Sequence, residues 1–458
     1  MIPGPRRWWA MAAAALLVAG PAATGAGAVP RIHFTDVISG PVRGGAGGLG
    51  APITLFGTGF GEARGASVVT IGGVPVERYV LWGARAHNPA LRVVVVQPGS
   101  RVRAGRIAVT VAGRTAVGPR FTPRPGRVLA VAPGGSDGGP CSLARPCASL
   151  QHVIDARARR GDRVLVRGGV YREGEVWLRA GGPPIAITRQ PGEEPVFVNA
   201  SRPLIAERDD VTVAGLGFRD GKSAGIPDTG LPGPRGVRLI DNAFSGTIGF
   251  SAVDSHGDGH LIAGNVCRVA GSTVGTQGHC FYVSYGRGVR VLDNVAEGAT
   301  GYGIHVFDQQ RAADDFPRVI RDLLIQGNRV GASRERSGMI LAMGDEGGRG
   351  NRIDGVVVRG NRFAGSNHAG VVVGARVGRL RITGNTVGDN GRQGVNVADD
   401  PTIRDVVISA NTIIQSPNRL CRSNCTWFAP AAVEVGARAR QVVVAGNRLL
   451  GGGRVLRR

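Results

Sequence analysis

Lysine is almost absent from this 458-residue chain: Lys222 is the only one, so arginine supplies nearly all of the 56 basic residues. With 33 acidic residues, the formal net charge is +23. Arginine binds carboxylates through a planar fork of N–H donors, so the charge favours an acidic polymer as partner. A bias in nucleotide composition would produce the same replacement of lysine by arginine. No recognised DNA-binding motif accompanies the charge, and we therefore expect no nucleic-acid partner.

Long apolar runs are also missing, with one exception near the start of the chain. Residues 10–18 are apolar, follow Arg6 and Arg7, and precede the small-residue stretch 26–28. This order is typical of a secretory signal peptide, and the run is too short to span a bilayer. We therefore predict a signal peptide over 1–28, a secreted or periplasmic mature chain, and no membrane span. Arg6 and Arg7 leave both the general secretory and the twin-arginine routes open.

Paired CxxC motifs are absent, which argues against a structural metal site. The six cysteines instead fall into three pairs: Cys141 with Cys147, Cys421 with Cys425, and Cys267 with Cys280. Disulfides fit an exported protein, and we predict the first two pairs as local bridges. The third pair is also predicted as a bridge, although the repeat described next points Cys267 inward, where a buried thiol is the alternative. No cofactor is expected, except that Asp399 and Asp400 could bind Ca²⁺.

Asparagine recurs eight times behind the same apolar pattern. The positions are Asn242, Asn265, Asn294, Asn328, Asn361, Asn385, Asn411 and Asn447. The residue three before each Asn is Val, Ile or Leu, and the residue two after it is apolar or Cys. This spacing indicates a strand, a turn at Asn and a second strand. The copies lie 23 to 36 residues apart, and a repeat of that length is typical of a solenoid.

The irregular spacing and the abundance of Val and Gly favour a parallel β-helix over a leucine-rich repeat, whose period is nearly fixed. Coils of a β-helix stack about 4.8 Å apart, so an Asn at the same turn of every coil can hydrogen-bond to the copies above and below. Asn also tolerates the left-handed backbone that a sharp turn needs. We therefore predict an all-β chain dominated by a single-stranded parallel β-helix.

Residues 31–124 have a different sequence pattern: Gly and Pro interrupt short predicted strands, as in a β-sandwich. The segments ITLFGTGFG (53–61), VTIGG (69–73) and GPRF (118–121) resemble the IPT/TIG immunoglobulin-like family. That resemblance implies a small immunoglobulin-like sandwich that serves as a non-catalytic spacer or binding module. Residues 125–147 then follow as a linker and loop.

A helix signal begins the remaining chain, because Ser149 can cap a helix with Leu150, Val153 and Ile154 on one face. A solenoid needs such a cap over its first coil. The helix followed by GDRVLVRGGVY (161–171) resembles the start of pectate-lyase-like right-handed β-helix proteins. The matching residues are Asp162, Val164, Val166, Gly169 and Tyr171. The resemblance implies a right-handed β-helix over 148–458 and leaves the activity open, because relatives include lyases, hydrolases, epimerases and proteins of no known activity.

Two neighbouring coils carry His, Tyr and Asp side chains that could take part in catalysis. Aligned on the Asn repeat, GHCFYVSY (278–285) lies against GYGIHVFD (301–308). Alternation points four residues inward: Phe281, Val283, Ile304 and Val306. Tyr282 and His305 are then expected to point outward on adjacent rungs, with Asp308 at the edge of the patch. His279 and Tyr302 align at the strand starts. In later coils the same outward column is expected to hold Leu341, Val372, Asn396 and Glu434.

Two His and two Tyr on one wall permit proton abstraction beside a uronate carboxylate, followed by β-elimination or by C5 epimerisation. Either reaction needs a base near neutral pH, a proton donor and a cation on the carboxylate. We predict His305 and Tyr282 as base and donor, in either order, with His279 and Tyr302 beside them. Three further residues are expected to bind substrate: Arg334, Arg336 and Asp308.

The sequence thus predicts an exported, monomeric protein that acts on acidic polysaccharide, as a lyase or an epimerase. A non-catalytic glycan-binding or adhesion protein is the first alternative, because no complete catalytic motif is present and an immunoglobulin-like module is attached. A glycoside hydrolase is the second, and it would need two carboxylates across a cleft. The candidate acids are Asp308, Asp314, Asp315, Asp345 and Glu346.

Overall fold

The computed structural model describes residues 28–198, 202–221, 224–225, 233–273, 275–308, 318–344, 350–414 and 431–458. Almost all of the predicted signal peptide lies outside these ranges, and so does the predicted Cys421–Cys425 bridge. Among the described residues, no helix is both long and apolar enough to cross a membrane. The chain folds into an immunoglobulin-like β-sandwich followed by a right-handed parallel β-helix with an N-terminal capping helix.

The sandwich consists of two sheets around a common apolar core. The first sheet has the order Arg31–Thr35, Ile53–Thr58, Arg92–Gln97 and Arg78–Arg85. The second has the order Ser39–Gly40, Arg114–Pro123, Gly105–Val111, Val68–Ile71 and Val74–Pro75. A short 3₁₀ helix covers Ala46–Gly48. Pairing is antiparallel except at Ser39–Gly40. Inward residues such as Leu55, Val94 and Ile107 are fully buried, because alternate side chains of each strand face the other sheet.

The β-helix has three walls, each built from parallel strands that pair with the strand one coil later. Wall 1 precedes the repeated Asn and contains Val128–Val131, Arg163–Val166, Ala186–Arg189, Thr212–Ala214, Arg238–Ile240, Leu261–Ala263, Arg290–Leu292, Val319–Arg321, Leu324–Gln326, Arg352–Arg359, Val377–Thr383, Arg404–Ser409 and Arg440–Ala445. Wall 2 follows the Asn and contains Gly169–Tyr171, Pro195–Val198, Gly217–Arg219, Ala243–Ile248, Val266–Ser272, Val295–Glu297, Arg329–Gly331, Arg362–Ala364, Thr386–Gly388, Thr412–Ile414 and Arg448–Leu450.

Wall 3 completes each coil and carries the candidate site. It contains Val176–Leu178, Leu204–Ala206, Ala224–Gly225, Ser251–His256, His279–Arg287, Ile304–Asp308, Met339–Met343, Val371–Val373, Val395–Val397, Val433–Val435 and Val455–Arg457. A single 3₁₀ turn, Gly275–Gln277, precedes the strand His279–Arg287. Inward residues from the three walls form one continuous core along the solenoid.

The predicted capping helix is confirmed, as an α-turn at Leu150–His152 that continues as a π-turn at Val153–Arg157. The Ser149 hydroxyl accepts a hydrogen bond from the His152 main-chain N–H at 3.0 Å, and Leu150, Val153 and Ile154 are buried. The predicted start of the β-helix at 148 needs correction. Val128–Val131 already pairs in parallel with Arg163–Val166, so the first wall-1 strand lies in the stretch predicted as linker.

The eight asparagines form the predicted ladder. At each step the main-chain N–H and the side-chain amide of one Asn both donate to Oδ1 of the next Asn, at 2.9 to 3.1 Å. Each side-chain amide also donates to a wall-1 carbonyl, as Asn328 does to Val291 at 2.9 Å. Asn242 through Asn411 are buried, so water cannot replace these bonds.

The left-handed residue of each turn is not the Asn, contrary to the sequence prediction. Positive φ angles fall on the residue before it, such as Asp241 (52°), Gly264 (68°) and Ala410 (55°). An Asn in that conformation would turn its amide away from the stack. The left-handed bend is therefore made one position earlier, where Gly or Asp is frequent because both tolerate positive φ.

The sandwich packs on the outer face of wall 1. Phe34, Phe56 and Leu91 form an apolar cluster with Ile240 and Leu292 of the solenoid. Beside it, Nη2 of Arg163 lies 2.7 Å from Oδ2 of Asp36, and both side chains are 3% exposed. Removing one partner of such a buried pair is strongly destabilising, because the other charge is left desolvated. The sandwich and the first coils are thus joined by both apolar and ionic contacts.

Replacing Asn328 by Ala should lower the free energy of unfolding by about 2–5 kcal/mol. The substitution leaves the main-chain N–H and the side-chain amide of Asn294 without their buried acceptor. It also removes the side-chain amide that donates to the Val291 carbonyl and to Oδ1 of Asn361. Asn447→Ala is the matched control: it ends the ladder, is half-exposed, and should lose less than half as much. Urea unfolding of both variants measures the difference. Equal losses would contradict a ladder stabilised by burial.

Candidate active site

Wall 3 has the register that the sequence predicts for the candidate coils. Phe281 pairs with Ile304, Tyr282 with His305, and Val283 with Val306. Phe281, Val283, Ile304 and Val306 are fully buried in the core. Because side chains alternate along a strand, Tyr282 and His305 lie on the outer face of the wall. The parallel pairing brings these two rings to a centroid distance of 4.8 Å.

The four predicted residues meet in one ring cluster with His305 at its centre. The centroid of His305 lies 4.2 Å from that of His279 and 4.8 Å from that of Tyr302. Two phenylalanines extend the cluster. Phe307 stacks on His305 at 5.1 Å, and Phe250 meets His279 at 5.0 Å and Tyr282 at 5.3 Å, edge to face. We refer to these six residues as the wall-3 cluster: Phe250, His279, Tyr282, Tyr302, His305 and Phe307.

The two phenylalanines were not recognised in the sequence. Phe250 belongs to the preceding coil, where its carbonyl accepts the N–H of His279 at 2.8 Å. A three-coil alignment would have placed it beside the cluster. Phe250 is 39% exposed and Tyr282 and Tyr302 are half-buried, so these rings form the accessible surface of the cluster.

His305 is more enclosed than predicted, at 7% exposure. Alternation does place it on the outer face, but rings from its own and the preceding coil cover it. Its Nδ1 is buried without a hydrogen-bond partner. The half-buried tyrosines therefore form the outer layer of the cluster, and His305 lies beneath them.

His279 has a defined neutral form. Its Nδ1 accepts the main-chain N–H of Tyr302 at 2.9 Å, so the proton of the neutral ring is on Nε2. Nε2 is buried and has no partner. The ring thus presents an unused donor within the cluster.

Burial keeps both imidazoles uncharged. Desolvation, and secondly the positive charge of Arg336, lower the pKa of His279 to about 3. Desolvation also holds the pKa of His305 well below its usual value, with further lowering by His279 and Arg336. Burial raises the pKa of Tyr302, against a smaller opposing effect of Arg336. At neutral pH the cluster therefore holds two neutral imidazoles and a protonated phenol.

Of the two predicted arginines, Arg336 lies at the cluster, since its charge acts on His279, Tyr302 and His305. Within the described ranges, its guanidinium has no hydrogen-bond or ion-pair partner. Arg334 is exposed and extends toward wall 2, with Nη2 3.5 Å from the carbonyl oxygen of Val269. The geometry therefore supports Arg336, rather than Arg334, as the cation beside the rings.

Arg336 begins a column of basic residues that sequence analysis did not identify. The main-chain N–H of His368 donates to the carbonyl of Arg336, and that of Arg392 donates to the carbonyl of His368, both at 3.2 Å. These residues occupy the same turn of three consecutive coils. Burial, followed by the charges of Arg392 and Arg336, lowers the pKa of His368 to about 4. In the turn before wall 3, Arg336 and Arg392 are thus the charged residues of this column, and a neutral His368 lies between them.

The outward column in later coils differs from the prediction at one position. Ile340, not Leu341, follows His305, and Val372, Asn396 and Glu434 succeed it. Leu341 is buried in the core. The wall-3 strand of that coil begins at Met339, so its alternation is shifted by one residue from the sequence alignment. Beyond His305 the outer face is apolar for two rungs.

Asp308 lies at the end of its wall-3 strand but is turned into the structure. It is 4% exposed, and its Oδ2 lies 3.8 Å from Nη1 of Arg318. The other four acids considered for hydrolysis, Asp314, Asp315, Asp345 and Glu346, lie outside the described residues. Among the described residues, the five candidate acids therefore do not supply two carboxylates across a cleft.

Two predicted disulfides are present, Cys141–Cys147 and Cys267–Cys280. The second joins wall 2 to the start of wall 3 directly beside His279, and it excludes the alternative of a buried thiol. In the described ranges, one group of possible metal ligands clusters: Cys141, Cys147 and His152. Its two sulfurs are joined to each other, so they offer no thiolate. At the predicted calcium position, Asp399 accepts two hydrogen bonds from Arg438, and Asp400 accepts two from Thr402, one from its main-chain N–H and one from its hydroxyl.

No protein-family model matches this chain, and no curated protein is similar to it in sequence. Among solved structures, it is similar to the A-module of an Azotobacter vinelandii mannuronan C-5 epimerase, with 14% identity over 65% of this chain and 88% of that chain and a TM-score of 0.44. A pectate lyase shares 15% identity over 70% and 78% of the two chains, with a TM-score of 0.38. A tailspike protein of E. coli bacteriophage HK620 shares 12% over 64% and 55%, with a TM-score of 0.45. At this distance the likenesses say nothing about activity.

Stability should fall in acid because the buried imidazoles resist protonation. The folded pKa of His279 is about 3, below the unfolded value of about 6.5. The unfolded chain therefore binds more protons between these values, and stability is lost as the pH falls below about 6.5. His279→Gln should reduce the loss between pH 7 and pH 5 by roughly 2 kcal/mol, as measured by urea unfolding at both pH values. An unchanged loss would contradict a neutral, buried His279.

Proposed function

We propose that this protein is an exported enzyme that removes the proton beside the carboxylate of an acidic polysaccharide, as a lyase or a C5 epimerase. The observation that carries the proposal is the combination of neutral imidazoles and phenols with Arg336, whose guanidinium has no partner among the residues that the structure describes. A cation without a counter-charge suits a carboxylate ligand. A neutral imidazole can accept a proton, and a protonated phenol can donate one.

In the proposed elimination, His305 takes the proton from C5 of the uronate, and the C–H electron pair forms the C4=C5 double bond. The C4–O4 bond breaks, and O4 receives a proton from Tyr282. Arg336 neutralises the carboxylate, on which negative charge grows during proton removal. Epimerisation uses the same first step, after which Tyr282 gives its proton to the opposite face of C5, so no bond between sugars breaks.

Substrate binding would increase the basicity of His305. In the free protein, burial and Arg336 both disfavour the protonated imidazole. The negative charge of a bound carboxylate offsets the Arg336 charge and therefore raises the pKa of His305. The base is therefore strengthened where its substrate is present. Exposed Phe250 and the half-buried tyrosines offer rings on which sugar faces can stack.

The enclosure of His305 favours a second function, non-catalytic glycan binding. In that case the aromatic surface and the basic column Arg336–His368–Arg392 would retain acidic glycans without a reaction at His305. The two functions differ in one measurable property, because only an enzyme changes the covalent structure of the polymer.

Incubation with a panel of uronate polymers tests the reaction directly. A lyase produces ultraviolet absorbance from the C4=C5 double bond, and an epimerase changes the proton spectrum of the polymer without shortening it. Each polymer should also be incubated with His305→Ala protein, which separates turnover from spontaneous elimination. If no polymer changes in either assay, the enzymatic proposal is wrong. Retention on an acidic-glycan column would then support the binding alternative.

Substitutions assign the roles within the site. Tyr282→Phe and His305→Ala should each lower turnover by about 10²–10⁴-fold, the range for loss of a general acid or base. Tyr302→Phe tests the other phenol as donor, and a greater loss there would exchange the two assignments. Circular dichroism of each variant verifies folding.

Arg336→Gln should lower turnover by about 10²–10³-fold through loss of charge stabilisation. Arg334→Gln is the matched control, because it removes the same charge two residues away and should retain nearly full activity. Equal losses in the two variants would show that general positive charge, rather than the position of Arg336, is responsible.

A further inference from the structure

The junction of the sandwich with wall 1 contains a cavity of about 350 Å³. Residues 37–41 and 51–53 line its sandwich side, and Arg163, Ala186 and Arg238 are on its solenoid side. We call this space the junction cavity. Small-molecule sites are frequently found at domain interfaces, and their volumes begin at about 300 Å³. The junction cavity therefore has room for one sugar ring and not for an extended polymer.

Two arginines that line the junction cavity, Arg163 and Arg238, share one neighbouring carboxylate behind the lining, that of Asp36. Arg163 is paired with Asp36 and also donates to the carbonyl of Pro52 at 2.8 Å, while its Nε has no partner. Among the described residues, Arg238 donates only to the carbonyls of Thr35 at 2.7 Å and Asp36 at 3.2 Å. Asp36 is thus hydrogen-bonded to Arg163, and Arg238 has no hydrogen bond to a carboxylate among the described residues.

The rim adds to this positive charge. Arg124 and Arg160 line the opening and are exposed. The lining acid Asp162 is already engaged, since its carboxylate accepts hydrogen bonds from Arg127 and from the main-chain N–H of Arg159. Asp210 is the other lining carboxylate. The lining arginines therefore outnumber the carboxylates that could compensate them, which selects for an anionic ligand.

The sides of the junction cavity are apolar. Ile38 is 45% exposed, and Pro41, Pro184 and Ile185 line the same space. The faces of a sugar ring carry C–H groups that pack on such side chains, while its carboxylate can form paired hydrogen bonds with a guanidinium. Apolar lining residues next to the lining arginines therefore match a sugar ring that carries one carboxylate.

We propose that the junction cavity binds a single acidic sugar residue, with its carboxylate at Arg238 and its ring against Ile38 and Pro184. The ligand is a free acidic monosaccharide or the terminal residue of an acidic glycan, which share this chemistry. The site uses residues of both the sandwich and the first coils, so it gives the sandwich a binding role. It does not depend on the reaction proposed at wall 3.

Isothermal titration of the full chain with sodium glucuronate tests the site, and glucose is the matched ligand without a carboxylate. Glucuronate should bind and glucose should not at the same concentrations, and rising salt should weaken the binding. A glucuronate oligomer distinguishes the two sources: a terminal residue binds as tightly as the monomer, whereas a site for free monosaccharide binds the oligomer at least tenfold more weakly. Equal binding of glucuronate and glucose would overturn the proposal.

Two substitutions locate the binding. Arg238→Gln should weaken glucuronate binding at least tenfold, whereas Arg235→Gln, an exposed arginine outside the lining, should leave it unchanged. Gly40→Leu should abolish binding by filling the space, because a Cβ added at Gly40 meets no atom within 4 Å. The Gly40 variant tests the site without altering its charge. Unchanged affinity in both Arg238→Gln and Gly40→Leu would refute the site.

The wall-3 variant Arg336→Gln separates this site from the proposed reaction. It should retain glucuronate binding at the junction cavity, while Arg238→Gln should retain turnover of polymer. If Arg336→Gln loses monosaccharide binding and Arg238→Gln keeps it, the ligand binds at wall 3 and the junction proposal fails. In that case the proposed enzymatic function is unaffected. If Arg336→Gln loses turnover and retains monosaccharide binding, the junction cavity binds the sugar independently of the reaction at wall 3.

Discussion

The hydrogen bonds between stacked asparagine amides are the constraint on which the solenoid depends. Each Oδ1 accepts both the main-chain N–H and the side-chain amide of the neighbouring Asn, so two donors per coil are satisfied by one buried acceptor group. This fixes the register of wall 1 and wall 2 at every rung. The length of the loops then becomes irrelevant to register, and spacings from 23 to 36 residues produce equivalent coils.

Fixed register is also what assembles the chemistry on wall 3. His305 and Tyr282 face each other because their strands pair residue for residue, and the neighbouring rings then exclude water from both imidazoles. The same packing that stabilises the wall lowers the pKa of His279 and His305. The ring packing that stabilises wall 3 therefore also forms the candidate active site. Close stacking of aromatic and imidazole rings is favourable while the rings remain neutral.

The sequence predicted the ladder and the inward residues of the two candidate coils, because both follow from period-2 alternation around the Asn. The Cys267–Cys280 bridge came from the pairing of cysteines alone, since alternation left a buried thiol as the alternative. The sequence misassigned the left-handed turn residue, since spacing locates a turn without showing which of its residues bends. It also predicted that His305 lies on the outer face of the wall, but not that other rings enclose it there. That cover comes from His279, Tyr282, Tyr302 and Phe307, and covering requires the lateral packing of neighbouring coils, which no linear pattern contains.

The position of the sandwich follows from a change along one outer column of wall 1. On successive rungs this column reads Ala214, Ile240, Ala263 and Leu292, which are buried beneath the sandwich, and then Gln326, Arg359, Thr383 and Ser409. A row of four apolar residues on the outer face of a solenoid wall would form an exposed hydrophobic patch, so these residues require a partner. The sandwich covers those rungs, and it also contacts earlier coils through the Asp36–Arg163 pair and through Ala51 against Val128 and Leu165. The junction cavity lies at the edge of this contact, where the apolar surfaces separate and Arg163 and Arg238 remain between them.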